Sequence, residues 1–166
     1  MQFSAATLGL VASFVTAVTA GKVTFWTLDD KVRTIYFTPN PGSANIDSVT
    51  VSNAEKTTVD FPEPYVGNFY AVQKGKENSP GMLGEVNFSG WNGKTYFDVS
   101  AIVDAGDKDN VKQMWPVDSQ SPMSGCEVFP CDNAYYLPDD VQTKVTEENH
   151  IITTLGSGST GMKFME

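Results

Sequence analysis

Hydrophobic and polar residues alternate along most of this chain, with the period of two that belongs to strands. The clearest case runs from Gly84 to Asp104, GEVNFSGWNGKTYFDVSAIVD. Val86 and Phe88 fall on one side, and Glu85, Asn87 and Ser89 on the other. Gly90-Trp91-Asn92-Gly93 follows, and its Asn-Gly pair readily takes the positive φ of a tight turn. Thr95 to Val103 predicts a second strand. Such a unit places Glu85 and Asp98 on facing strands, where their side chains share one surface.

The same reading extends in both directions. Lys22 to Leu28 alternates, Asp29-Asp30-Lys31 makes a turn, and Val32 to Thr38 alternates again. Pro39-Asn40-Pro41-Gly42 breaks that strand. Ser48 to Val51 and Thr57 to Phe61 are strands rich in Val and Thr, ended by Pro62 and Pro64. Gly67 to Gln73 is another. Asp107 to Trp115 reads as one or two helical turns stopped by Pro116. Thr143 to Val145 and His150 to Leu155 close the series, and Trp26 is expected in the core. Turn signals recur roughly every ten residues, the pattern of an all-β sandwich of short antiparallel strands.

The ends read differently. Met1 to Ala20 carries an apolar run, Leu8 to Val18, and the small-residue pattern Val18-Thr19-Ala20, which predicts a secretory signal peptide over 1–20. The run is shorter than the about 20 apolar residues that span a bilayer. The domain then covers 21–155, and 156–166 is a Gly/Ser-rich tail expected to be flexible. The expected address is extracellular or cell-wall associated.

Charge narrows the partners. The chain has 166 residues and a net charge of −9. It lacks the basic stripe that neutralises phosphates, so nucleic acid is a poor partner. Anionic membranes repel it. Polysaccharides or basic host proteins fit better, and nothing argues for an oligomer, so a monomer is expected. Two cysteines, Cys126 and Cys131, are expected to pair with each other in an oxidising compartment. A zinc site lacks ligands, because His150 is the sole histidine. With 10 Phe, 6 Tyr and 3 Trp, the chain has the material for a core.

The candidate chemistry is acidic. Glu85, Asp98 and Asp104 form a possible acidic cleft, for binding or for glycoside hydrolysis, which needs two carboxyls about 5–5.5 or 6.5–9.5 Å apart. The alternative is solvated residues and turn caps. Asp104 to Asn110 is an oxygen-rich loop of the kind calcium prefers, but its spacing is not that of an EF-hand, and no metal or cofactor is assigned. Asn87-Phe88-Ser89 is a glycosylation sequon with Asn87 facing outward. Trp91, Trp115 and Tyr135-Tyr136 are candidates for stacking on sugars or, alternatively, for the core. At most one of Tyr135 and Tyr136 is expected to be buried. No nucleophile elbow, zinc-protease motif or phosphate loop occurs.

LGEVNFSGWNGKTYFDVSAIVD followed by SGCEVFPC resembles the thaumatin-like proteins. The chain is more similar still to a group of small secreted fungal members, the yeast-phase-specific proteins. VTFWTLDDKVRTIYF resembles the family's first hairpin and GNFYAV its strand before the acidic segment. The resemblance implies a thaumatin-like β-sandwich with one local disulfide and an acidic cleft linked to β-glucan. Glu85 matches the family's Glu, Asp98 its first Asp and Asp104 its second, with one extra residue between the two. The family's Arg is absent, with Asn68 and Val72 standing where basic residues are expected. The implied function is a secreted, non-catalytic protein that binds cell-wall polysaccharide through Glu85, Asp98, Asp104, Trp91 and Tyr135, with a role in wall remodelling. The alternatives are a virulence effector or adhesin recognising a host surface protein, and a weak β-glucan hydrolase using Glu85 and Asp98.

Overall fold

The alternating segments form two sheets in the computed structural model, which describes residues 19–164. The expected signal peptide lies outside the described residues except for Thr19 and Ala20, which open β1 (Thr19–Thr27). The strands that follow are β2 (Arg33–Pro39), β3 (Val49–Val51), β4 (Thr57–Pro62), β5 (Tyr65–Gln73) and β6 (Leu83–Phe88). Then come β7 (Thr95–Ser100), β8 (Val111–Pro116), β9 (Ser124–Gly125), β10 (Lys144–Thr146) and β11 (His150–Leu155). One sheet has the order β4-β1-β11-β8-β9, and the other β10-β7-β6-β5-β2-β3. The all-β expectation therefore holds.

The strands are not all antiparallel. β1 and β11 pair in parallel, with Lys22 opposite His150 and Thr27 opposite Leu155. A parallel pair needs a long connection, and here nearly the whole described chain supplies it.

Aromatic rings join the two sheets. Phe25 of β1 meets Phe69 of β5 edge to face at 5.1 Å, and Phe61 of β4 lies 5.3 Å from Phe88 of β6. Each such pair contributes about 0.5–1.5 kcal/mol beyond its buried area. Gly84 makes room for the ring of Phe69, its partner on the neighbouring strand, since a Cβ there would run into that ring. Trp26 departs from the core expectation. Its neighbour Phe25 points inward, so Trp26 points to the other face, where Lys56 sits 3.7 Å from its ring centroid.

The helix expected over Asp107 to Trp115 is corrected by β8. All six residues of β8 are buried between β11 and β9. A strand covered on both faces loses alternation, and Lys112 and Gln113 hid its apolar character. The Lys112 ammonium donates to the Lys108 carbonyl and lies over the Phe129 ring. Burial pushes its pKa down, against the opposing charges of Asp109, Asp107 and Glu127.

A polar hub ties the connections at one end of the sheets. Arg33, fully buried, uses all five of its N–H donors. Nη1 and Nη2 form a bidentate pair with Asp29 at 2.6 and 2.7 Å. The others reach the Lys31 and Asp109 carbonyls and Asn110 Oδ1. Asp29 also accepts from the Ser157 amide, so the hub includes the segment after β11. Farther along, Ser159 and Thr160 donate to Glu127, and the Phe164 ring packs on buried Trp115 at 4.9 Å. Cys126 and Cys131 are disulfide-bonded, as expected.

Candidate functional site

The hairpin β6–β7 forms as the sequence predicts. Asn92 and Gly93 take φ of 58° and 71° at its turn, the left-handed conformation that an Asn-Gly pair accommodates. Glu85 lies directly opposite Asp98, and Asn68 of β5 lies opposite Glu85. Their neighbours Val86, Phe97 and Phe69 are buried in the core. Alternation therefore sends Asn68, Glu85 and Asp98 to the outer face as one cross-strand row. Thr143, next to β10, completes it by donating from Oγ1 to Asp98 Oδ2 at 3.2 Å.

This row floors a cavity of about 200 Å³, lined also by Asn40, Asn87 and Tyr96. Asp98 is only 6% exposed. Its Oδ1 is buried, and no N–H or hydroxyl group among the described residues donates to it; the group that faces the carboxyl is Glu85. The carboxyl is pushed up to about 7, first by burial, then by the charge of Glu85 and a hydrogen bond with it. The Thr143 hydroxyl and the charge of Lys144 pull the other way. Burial and the facing Glu85 carboxyl thus favour the protonated form of Asp98 far more than in an exposed aspartate.

Other predicted site residues are dispersed. Asp104 lies beyond the end of β7, where its Oδ1 accepts from the Gly106 amide at 2.8 Å. It lines a different cavity, with Lys76 and Asp107. Trp91 is 74% exposed on the hairpin turn and does not line the carboxyl cavity. Trp115 is buried. Tyr135 and Tyr136 are both half-buried, so neither is fully buried. The Tyr135 hydroxyl holds Thr143, donating to its Oγ1 at 2.8 Å while accepting from its amide. Tyr135 is thus a positioning group for Thr143, a role that sequence did not reveal. Asn87 is half-buried and lines the cavity, so a glycan on it would stand over the carboxyl pair.

The oxygen-rich loop is internally satisfied. Asp107 accepts from the Met82 and Asp109 amides and from the Asn110 side chain. Among the described residues, no group of three or more His, Cys, Asp or Glu is arranged to hold a metal ion.

No family model matches the chain. It is 68% identical over 142 residues to the antigenic protein SchS21 of Stachybotrys chartarum, covering 86% of this chain and 99% of that protein. The chain belongs to the family of the antigenic protein SchS21. The crystal structure of the protein elicitor MoHrip2 from Magnaporthe oryzae has the same fold, with a TM-score of 0.64. The superposition covers 82% of this chain and 98% of that one, at 17% identity.

Membership of the SchS21 family corrects the thaumatin-like assignment and the yeast-phase-specific grouping. It also removes the wall-polysaccharide function, and the carbohydrate-binding roles, that rested on that resemblance. The physical reason lies in what carried it. An alternating hairpin with a tight turn is what the middle of any two-sheet protein needs, and a short-range disulfide is equally general. Neither is diagnostic of a family.

Proposed function

We propose that this protein acts outside the producing cell as an effector or adhesin that recognises a host protein. The observation that carries the reading is the 68% identity, over almost the whole of its length, to a protein named for its antigenicity. Antigenicity means that molecules of another organism meet the protein. Sharing a fold with a protein elicitor agrees with this. The secretory pattern of residues 1–20 supports the extracellular address. Among the described residues, no helix is long and apolar enough to cross a membrane.

The surface around the cavity suits a protein partner. The segment before β10 carries Leu137 and Val141, 59% and 90% exposed, and β10 carries exposed Val145. Apolar side chains beside an acidic depression offer both the dry contact and the charge selectivity of protein recognition. The net charge of −9 favours a basic partner.

The test is binding of labelled protein to plant and mammalian cell surfaces, beside an unrelated acidic domain of equal charge. Saturable binding to at least one surface, lost when the cells are first treated with trypsin, is the expected result. Binding equal to that of the control domain, or unaffected by trypsin, contradicts the reading.

A further inference from the structure

The outer face of β6 carries the one glycosylation sequon of the chain. Of the asparagines, Asn87 alone has a Ser or Thr two positions on, with Phe88 rather than Pro between. Val86 and Phe88, on either side of it, are core residues. Alternation therefore points the Asn87 amide away from the core, where it is half-buried. Ser89 is exposed with a φ of 61°, and there the chain leaves the strand for the hairpin turn. The acceptor amide and the hydroxyl that its modification requires both reach the surface at a strand end.

The neighbours of Asn87 are unusual for the solvent face of a sheet. Val66 of β5 pairs with it on one side and Tyr96 of β7 on the other, and Val145 of β10 pairs with Tyr96 in turn. Directly opposed side chains stand about 4.5–5.5 Å apart, so the row sets one polar amide among three apolar groups. The Tyr96 ring lies close over the Gly90 backbone, where a Cβ would come within 2.7 Å of it. Val66, Asn87 and Tyr96 all line the cavity, which has room for more than one water. This ledge suits a sugar attached at Asn87. Its C–H face would lie on the valine and the ring, and its hydroxyls would meet the Asn40 and Asn68 amides and Thr143.

We propose that Asn87 carries an N-linked glycan whose first sugar lies on Val66 and Tyr96 and covers the mouth of the cavity. The donor is an oligosaccharide held on a lipid diphosphate in the secretory route. The Asn87 amide nitrogen attacks the anomeric carbon and a C–N bond forms. The bond from that carbon to the phosphate oxygen breaks, the amide gives up one proton, and the lipid diphosphate leaves with the electron pair. Transfer to the chain before it folds is not hindered by the half-burial of Asn87 afterwards. The inference rests on the extracellular reading above, since the donor is met only on that route. Leu137 and Val141 do not line the cavity, so a glycan at Asn87 leaves them open to a partner.

The experiment expresses the full chain, with its own residues 1–20, in a filamentous fungus and weighs the protein recovered from the medium. A mass above that of the polypeptide by whole hexose and N-acetylhexosamine units is expected, with all of the excess on the peptide that contains Asn87. Ser89→Gly removes the sequon hydroxyl and accepts the positive φ without strain. It should be secreted without the excess mass. Trimming the parent to a single N-acetylglucosamine then allows NMR comparison with Ser89→Gly. Nuclear Overhauser contacts from that sugar to the Tyr96 ring and the Val66 methyls are expected, with shifts at both residues that Ser89→Gly lacks.

Secreted protein with Asn87 bare, or an excess mass that persists in Ser89→Gly, overturns the proposal and leaves the extracellular reading standing. A sugar on Asn87 without contacts to Val66 and Tyr96 overturns its placement over the cavity. Retention of the chain inside the cell overturns the extracellular reading and this inference with it, so the two failures are distinguishable.

Discussion

At the scale of single residues, Asp98 sets the behaviour of the site. Its pKa is about 7 in the folded chain and about 3.9 in an unfolded one. The folded state holds its proton more tightly, so the associated stability is fully present below pH 4 and is lost as pH rises to about 7. Above that, the ionised carboxyl is a standing cost. Asp98→Asn removes the cost and should stabilise the protein by about 2 kcal/mol at pH 8, flattening the loss of stability between pH 4 and 7. Urea unfolding at a series of pH values measures this. Unchanged or lower stability at pH 8 contradicts it. A residue that costs stability and faces a cavity is the pattern of a site kept for function. The position of Asp98 on its strand was legible from alternation. Its depth was not, because burial of an outward-facing residue depends on the segment carrying Tyr135 and Thr143, which arrives from more than thirty residues away in sequence.

At the scale of elements, the Arg33 hub does for the loops what hydrogen-bond ladders do for the strands. Burial pushes the Asp29 carboxyl up, but the Arg33 hydrogen bonds and charge, with the Lys31 and Ser157 amides, outweigh it and hold it at about 2. This pair therefore contributes stability that is present above about pH 4 and lost as pH falls through about 2. Arg33→Ala leaves Asp29 ionised and unpaired and should cost about 3–5 kcal/mol at pH 7. Thermal unfolding reads this directly, and a loss below about 1 kcal/mol would place the pair with ordinary surface bridges. The sequence offered Asp29-Asp30-Lys31 as a turn and Arg33 as one polar residue of a strand. Nothing local says that Asp109, Asn110 and Ser157 converge on them. β8 was hidden for a related reason: burial on both faces erases the period that marks an edge-exposed strand.

At the scale of the molecule, the two sheets, the central hairpin and the pairing of Glu85 with Asp98 were readable, because period-two alternation and an Asn-Gly turn specify them locally. The parallel joining of β1 to β11 was not, since it is a contact between distant segments with no local signature. Asp104 separated from the pair for the same reason: proximity along a loop does not fix proximity in space. The family was misread because a hairpin common to many β-proteins carried the resemblance. The account that remains is a two-sheet protein of the SchS21 family whose outer face holds a buried carboxyl against a second one.

That carboxyl pair is tested most directly by following the side-chain carboxyl ¹³C shift of Asp98 from pH 3 to pH 10, in the parent protein and in Glu85→Gln. The account predicts a midpoint near 7 in the parent. In Glu85→Gln the midpoint should move toward lower pH yet stay above the ordinary aspartate range of about 4, because burial persists. A midpoint near 4 that ignores Glu85→Gln would contradict it, and the row of carboxyls would then be an ordinary solvated face.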